Sequence, residues 1–315
     1  MYYVDAKKNI IENDFTFNNY LKNAPLSDQD EIVLTFIVRI KGKRAYGEWD
    51  ANDVIREILH QQYTNITLLP EFDIEDALEN EDEITDDDKR TFVTALNEIT
   101  KAFHNLVTSN EATARNYINP FMIKAVAIAQ RKHPSARLAV KEDFDGSRGF
   151  GHLDYAIFLV AFAVLVTEAK MTEVNKGITQ NLVQLHSAAE NIRKRKRKES
   201  HHPTDYLVNV YGIVTTGLEW RFIHWSDTLE SPKVVISKPY RCTFNREGME
   251  DAEKVLSIII RIIHSQAIVV ESQIGSSKGI YEEAMKKDNV LRPSRRQRSD
   301  KDDEEIVEPE QSLFE

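Results

Sequence analysis

The sequence predicts an α/β protein, and three features predict it. Stretches rich in β-branched and aromatic residues at 31–41, 151–169 and 206–225 alternate with segments of helical period at 91–107, 111–130, 176–197 and 251–268. Hydrophobic residues are 41% of the 315, enough to fill the core of one large domain or of a main domain with a smaller partner. The longest apolar run, Ala156 to Val166, is too short for a helix across a bilayer and reads as a core strand or strand pair.

Taken in order, residues 1–28 show no sustained period. Glu31 to Lys41 (EIVLTFIVRIK) predicts a strand, and Gly42 and Gly47 punctuate the turn after it. Asp50 or Asn52 can cap a helix carrying Val54, Ile55, Ile58 and Leu59, with a second strand expected at Ile66 to Leu69. Residues 1–70 are therefore expected as an N-terminal α/β module or extension. Eleven of the eighteen residues from Glu71 to Asp88 are acidic and their aliphatics are sparse, so 71–90 is expected as a solvated linker or loosely held helix. Phe92, Leu96, Ile99 and Phe103 then mark a helix.

The next helix, about Glu111 to Gln130, holds Ile118, Phe121, Met122 and Ala125 on one face, with Pro120 as a kink or restart. Glu111 falls on that same side; it serves either the helix dipole or a metal site. A short strand is expected at Arg137 to Val140 within a charged connection, and Gly146 and Gly149 turn the chain toward the central apolar run. Phe158 to Val166 contains no polar residue, so a hairpin there must turn on an apolar tip. Helix 176–197 follows, with Ile178, Leu182, Leu185, Ala189 and Ile192 facing the core and Gln180 and Gln184 four apart on a neighbouring face. Strands are expected at 206–214, 219–225 and 234–237, a helix at 251–268 and a shorter one near 281–287. The rest of 273–315 reads as a polar segment with a disordered tail.

The residues that invite chemistry are Asp154, Glu168 and Lys170. If the chain folds back between Leu153 and Ala169, the two carboxylates meet on adjacent strands, and Glu168 and Lys170 share a face of one strand. Two close carboxylates repel unless a cation lies between them, and Mg²⁺ suits oxygen ligands with no cysteine or histidine cluster nearby. A lysine beside such an ion can help activate water and stabilise charge on a phosphoryl oxygen. The plainer account is a Glu168–Lys170 surface pair at a strand end, with Asp154 capping a loop.

The stretch Gly151-His152-Leu153-Asp154-Tyr155-Ala156-Ile157 followed by Thr167-Glu168-Ala169-Lys170 resembles the Asp…Glu-X-Lys core of the PD-(D/E)XK nuclease superfamily. The resemblance extends through Lys176 to Leu185 and the segment Tyr211 to Trp220, and includes nuclease-like domains of fungal and Crinkler-type effector proteins. It implies a restriction-endonuclease-like fold over 91–272, with a central mixed sheet flanked by helices. It implies a Mg²⁺-dependent endonuclease acting on DNA, with Mn²⁺ an alternative ion. Asp154, Glu168 and Glu111 would be metal ligands and also catalytic, Lys170 the catalytic lysine, and Gln180 the polar residue of the following helix. Gln184 would contact nucleic acid. Leu153 stands where the superfamily often has proline.

One cysteine, Cys242, excludes an intrachain disulfide and fits a reducing compartment. No apolar segment follows Met1, so no signal peptide or Crinkler header is expected, and the chain reads as a processed or partial form if it is an effector. The net charge of -10 is uneven: the acidic tract and the tail carry the excess, leaving the remainder mildly basic. Arg193, Lys194, Arg195, Lys196, Arg197 and Lys198 are six consecutive bases, read as a DNA phosphate-binding or nuclear-import patch, or simply as solubilising surface. Arg292, Arg295, Arg296 and Arg298 form a second basic cluster. The expected partners are DNA and a nuclear-import receptor or host protein, with no membrane and with a homodimer left open. Nucleus is the expected location and cytoplasm the alternative. The competing reading keeps the nuclease fold without turnover, as a DNA-binding or host-protein-interaction module. A purely structural interaction protein is the third class.

Overall fold

A computed structural model describes residues 42–274, apart from 62, 79–83, 105–106, 108–109, 171–172, 200–207 and 245–248, together with 2–4, 10–11, 14–22 and 37–39. In chain order the elements are β1 (Tyr2–Val4), β2 (Ile10–Ile11), α1 (Asp14–Lys22), β3 (Ile37–Arg39), β4 (Arg44–Ala45), α2 (Ala51–Glu57), β5 (Glu71–Phe72) and α3 (Ile74–Ala77). Then come α4 (Asp86–Ala102), α5 (Glu111–Ala129), β6 (Ala136–Asp145), β7 (Gly149–Leu159), β8 (Phe162–Ala169) and α6 (Val174–Glu199). The chain continues through β9 (Val208–Thr215), β10 (Glu219–Asp227), β11 (Pro232–Ser237) and β12 (Tyr240–Arg241) to α7 (Met249–Ile274).

The protein is mixed α/β, with a central mixed sheet flanked by helices. Its main path runs β4-β7-β8-β9-β10-β11-β5, with β6 also on β7 and β12 on β10. The hairpins β6–β7, β7–β8, β9–β10 and β10–β11 are antiparallel, whereas β8 and β9 are parallel. A parallel pair needs a long crossover, and α6 supplies it. A small antiparallel sheet, β2-β1-β3, gathers the described N-terminal strands.

Period-2 alternation makes the sheet two-faced. Tyr155, Ile157, Leu165, Ile213 and Phe222 pack in one core with α4, α5 and α7. Ala156, Phe158, Val166, Val210, Ile223 and Trp225 pack in a second core with α2 and α6. Strands covered on both faces carry near-continuous apolar sequence, which explains the uninterrupted run from Phe158 to Val166. That run does turn on an apolar tip: Val160 and Ala161 make the turn, with Val160 at φ 57°.

Three local expectations differ from the structure. Ile66–Leu68 is a 3₁₀ turn, because the Asn65 side chain accepts from the Thr67 N–H and draws the chain into a cap. The acidic tract holds β5, which pairs in parallel with β11, and two helix starts. Asp73 caps α3, and Thr85 and Asp88 form a capping box at α4, whose first turn is Asp86-Asp87-Asp88. Carboxylates there meet unsatisfied N–H groups and the positive helix end, so much of the acidity is capping chemistry. Finally, α5 passes through Pro120 without a break. Of the strand expected at 31–41 the described residues include 37–39; the segments near 281–287 and 292–298 lie outside them.

Candidate functional site

The site lies at the C-terminal end of β8, where its pairing with the middle of β7 runs out beside the N-terminal half of α6. Tyr155 pairs with Thr167 in an antiparallel register, so one step on, Asp154 falls opposite Glu168. On the other side of β7 the register runs Val140–Tyr155 and Glu142–Leu153, which puts Lys141 opposite Asp154. Lys141, Asp154 and Glu168 thus form a row across three strands.

Both carboxylates are buried, with 7% of the Asp154 side chain and 3% of the Glu168 side chain exposed. Asp154 Oδ2 accepts from the Ala169 backbone N–H at 2.9 Å. Its Oδ1 accepts from Arg115 Nη2 and from Lys141 Nζ, each at 2.6 Å. Glu168 Oε1 lies 2.7 Å from Lys170 Nζ, and Oε2 accepts from Gln184 Nε2 at 2.7 Å. Lys170 Nζ also donates to Gln180 Oε1 at 3.0 Å. Gln184 is itself held, since Asn181 Nδ2 donates to Gln184 Oε1 at 3.3 Å and to the Val166 carbonyl at 3.1 Å.

The two acids are displaced in opposite directions. Burial, opposed by the Lys141 ammonium, the Ala169 N–H and Arg115, is outweighed at Asp154, whose carboxyl lies below its ordinary range. At Glu168, burial first and the Asp154 charge second push the carboxyl up to about 7, against the pull of Lys170 and Gln184. The pair is an acid held ionised beside an acid poised near neutrality.

Close packing of α6 on the sheet makes these contacts. A Cβ at Gly212 would come within 2.0 Å of Asn181 Oδ1 and 2.9 Å of Leu185 Cδ1. A Cβ at Gly177 would come within 2.7 Å of Val214 Cγ1 and 2.9 Å of Lys170 Cγ. Glycine at both places lets the helix approach β9 and brings its polar side chains onto Glu168 and Lys170.

Asp154, Glu168, Lys170, Gln180 and Gln184 are therefore brought together. Glu111, in the first turn of α5, has 54% of its side chain exposed and connects to Asp154 through Arg115, whose Nη2 lies 2.5 Å from Glu111 Oε1. Gln184, expected at a nucleic-acid surface, is fully buried with its amide on Glu168. Of the six bases, Arg193 pairs with Glu230 at 2.5 Å and Lys194 with Glu190 at 2.8 Å. Arg195, Lys196 and Arg197 continue α6 with Lys198, but their side chains lie outside the described residues. Sequence reasoning missed Arg115, Lys141 and Asn181. Arg115 follows Glu111 by four residues on one helix, a legible ion-pair spacing, whereas nothing local marks Lys141.

Among the described residues no group of three or more His, Cys, Asp and Glu side chains converges to hold a metal. The donor set of Asp154 and Glu168 nevertheless suits a hard divalent ion: two adjacent buried carboxylates, one raised by burial and then by the charge of the other, a strain that a cation would relieve. An ion held by Asp154 Oδ1 would compete there with Arg115 and Lys141. No helix among the described residues is long and apolar enough to cross a membrane. A scan of family models and a search of curated proteins found no match to this chain.

Proposed function

We propose that this chain is a divalent-metal-dependent nuclease acting on DNA phosphodiesters, built on a restriction-endonuclease-like core. The observation that carries the reading is the pairing of buried Asp154 and Glu168 across one hairpin, with Lys170 held between Glu168 and Gln180. Burying two carboxylates side by side costs free energy even when each is paired, and here the cost is met by five donors drawn from four elements and the β8–α6 connection around one point.

Asp154 and Glu168 would hold Mg²⁺ or Mn²⁺. When bound, the ion supplies Lewis-acid stabilisation of charge developing on the phosphoryl group and a hydroxide-like water. Asp154 is kept ionised by its donors and is ready to bind a cation at neutral pH. Glu168 is aimed by Gln184, and the Asn181 amide in turn fixes Gln184. Lys170, one-fifth exposed at the margin, can orient a water and stabilise a phosphoryl oxygen with its ammonium. Gln180 holds that ammonium in place.

The experiment is cleavage of supercoiled, linear duplex and single-stranded DNA by the purified full chain with Mg²⁺ or Mn²⁺. Asp154→Asn, Glu168→Gln and Lys170→Met should each lower the rate by about 10²-fold or more while leaving DNA affinity in Ca²⁺ largely intact. A second reading, the same fold without turnover as a DNA-binding module, draws on one observation: each carboxylate oxygen of the pair already has a protein donor. Wild-type protein that binds DNA but cleaves none of these forms would establish that second reading.

A further inference from the structure

Two cations share one oxygen. Arg115 from α5 and Lys141 from β6 both lie 2.6 Å from Asp154 Oδ1, whereas Lys170 serves Glu168. Three acids, Glu111, Asp154 and Glu168, face three bases, Arg115, Lys141 and Lys170, so with all six ionised the cluster is formally neutral. A divalent ion added on the carboxylates leaves it two charges positive. The excess must be met by an anion, or the cations must leave.

Lys141 carries a second mark. Its φ is 53°, in the left-handed region, in the middle of a strand whose pairing keeps the same register on both sides. A bulge would shift the register; this residue does not. A non-glycine side chain seldom adopts that conformation, and here the ladder skips this one pair and resumes in the same register. About half of the Lys141 side chain is exposed, so its ammonium reaches both the buried carboxylate and solvent.

We propose that Arg115 and Lys141 are a displaceable counter-ion pair, which holds Asp154 before the divalent ion binds and then passes to the phosphodiester backbone of the nucleic acid. This rests on the nuclease reading. Competition for Oδ1 then couples the two ligands. The ion frees the two bases, the bases take the phosphate, and the phosphate in turn draws the bases off the carboxylate, so each ligand favours the other. Arg115 offers a planar fork suited to phosphate, while Lys141 offers a mobile point charge. Both are positioning and binding residues, with no bond-making role.

The test uses the full chain and two readouts that need no turnover. The first is Mn²⁺ affinity without nucleic acid, by calorimetry or electron paramagnetic resonance. The second is affinity for a labelled DNA duplex in Ca²⁺ as a function of salt. Arg115→Gln and Lys141→Gln should each tighten Mn²⁺ by about three- to tenfold and lower the slope of log affinity for DNA against log salt by about 1. Lys141 is half-exposed, so its variant carries the test even where Arg115→Gln unfolds. Mn²⁺ binding by the double variant alone, with none by the wild type, would also support the proposal. Where the wild type binds Mn²⁺ measurably, an affinity unchanged or weakened in the folded single variants overturns the proposal while the metal site stands, and so does an unchanged salt slope. Mn²⁺ bound by no variant, or bound equally well by Asp154→Asn, overturns the nuclease reading itself.

Discussion

At Glu168 burial and neighbouring charge combine to resist ionisation, and Lys170 and Gln184 only partly offset them. The folded carboxyl sits near 7, above its ordinary value of 4.5. Between those two pH values the folded chain keeps a proton that the unfolded chain has lost. Its contribution to stability is therefore full below about pH 4.5 and is lost as pH rises through about 7, an effect of at most about 3 kcal/mol. Glu168→Gln abolishes the titration, so urea unfolding from about pH 4 to about pH 8 should show the wild type falling relative to the variant by a kcal/mol or more. Parallel curves would mean that Glu168 ionises normally. The same residue illustrates what the sequence can and cannot say. The spacing of Glu168 and Lys170 was enough to place both on one strand face. The shift was not legible, because it arises from burial in the folded sheet and from the charge of Asp154, fourteen residues away along the chain.

Among the elements, α6 does most to shape the site, and it depends on two glycines beneath and within it. Gly212→Ala places a methyl 2.0 Å from Asn181 Oδ1, so strand or helix must yield. The expected loss is about 1–3 kcal/mol of stability, read by denaturant unfolding, together with weaker Mn²⁺ binding as Gln184 withdraws from Glu168. Full stability in that variant would show that α6 can move off β9 freely. Helix and strand positions were largely legible here, from Ile178, Leu182 and Leu185 on α6 to Val210 and Trp225 on the strands. Helix starts were less so. The aspartates at 86–88 read as a solvated run, yet Asp88 is buried, and the Arg131 guanidinium at 2.7 Å, with Thr85 and Lys124 beside it, holds its carboxyl well below the usual range. A charge run that caps one helix and clamps it to the next has no apolar period to announce it.

For the whole molecule, the sheet carries a core on each face, and neighbouring residues of β8 enter different ones. Leu165 packs on the α5 and α7 side and Val166 on the α6 side. Leu165→Ala should cost about 2–5 kcal/mol and Val166→Ala somewhat less, both lowering one shared unfolding transition. Two separable transitions, each sensitive to one variant, would show that the cores are independent. The described strands β4 and β5 add to the same sheet at 44–45 and 71–72, so residues ahead of the acidic tract and within it help to build it.

Local chemistry determined a good deal from the sequence alone: the α/β class, the main helices, the apolar hairpin with its apolar turn, and three charged residues that packing did not require. These follow from periodicity and from solvation cost, which act within a few residues. The tertiary structure decided which charges neutralise one another. Arg115 and Lys141 reach Asp154 from a helix and a strand distant in the chain, and Glu111 is connected to it through Arg115 rather than directly. Coulombic and hydrogen-bond partners are chosen by distance in space, and no sequence pattern encodes that distance before the sheet is formed.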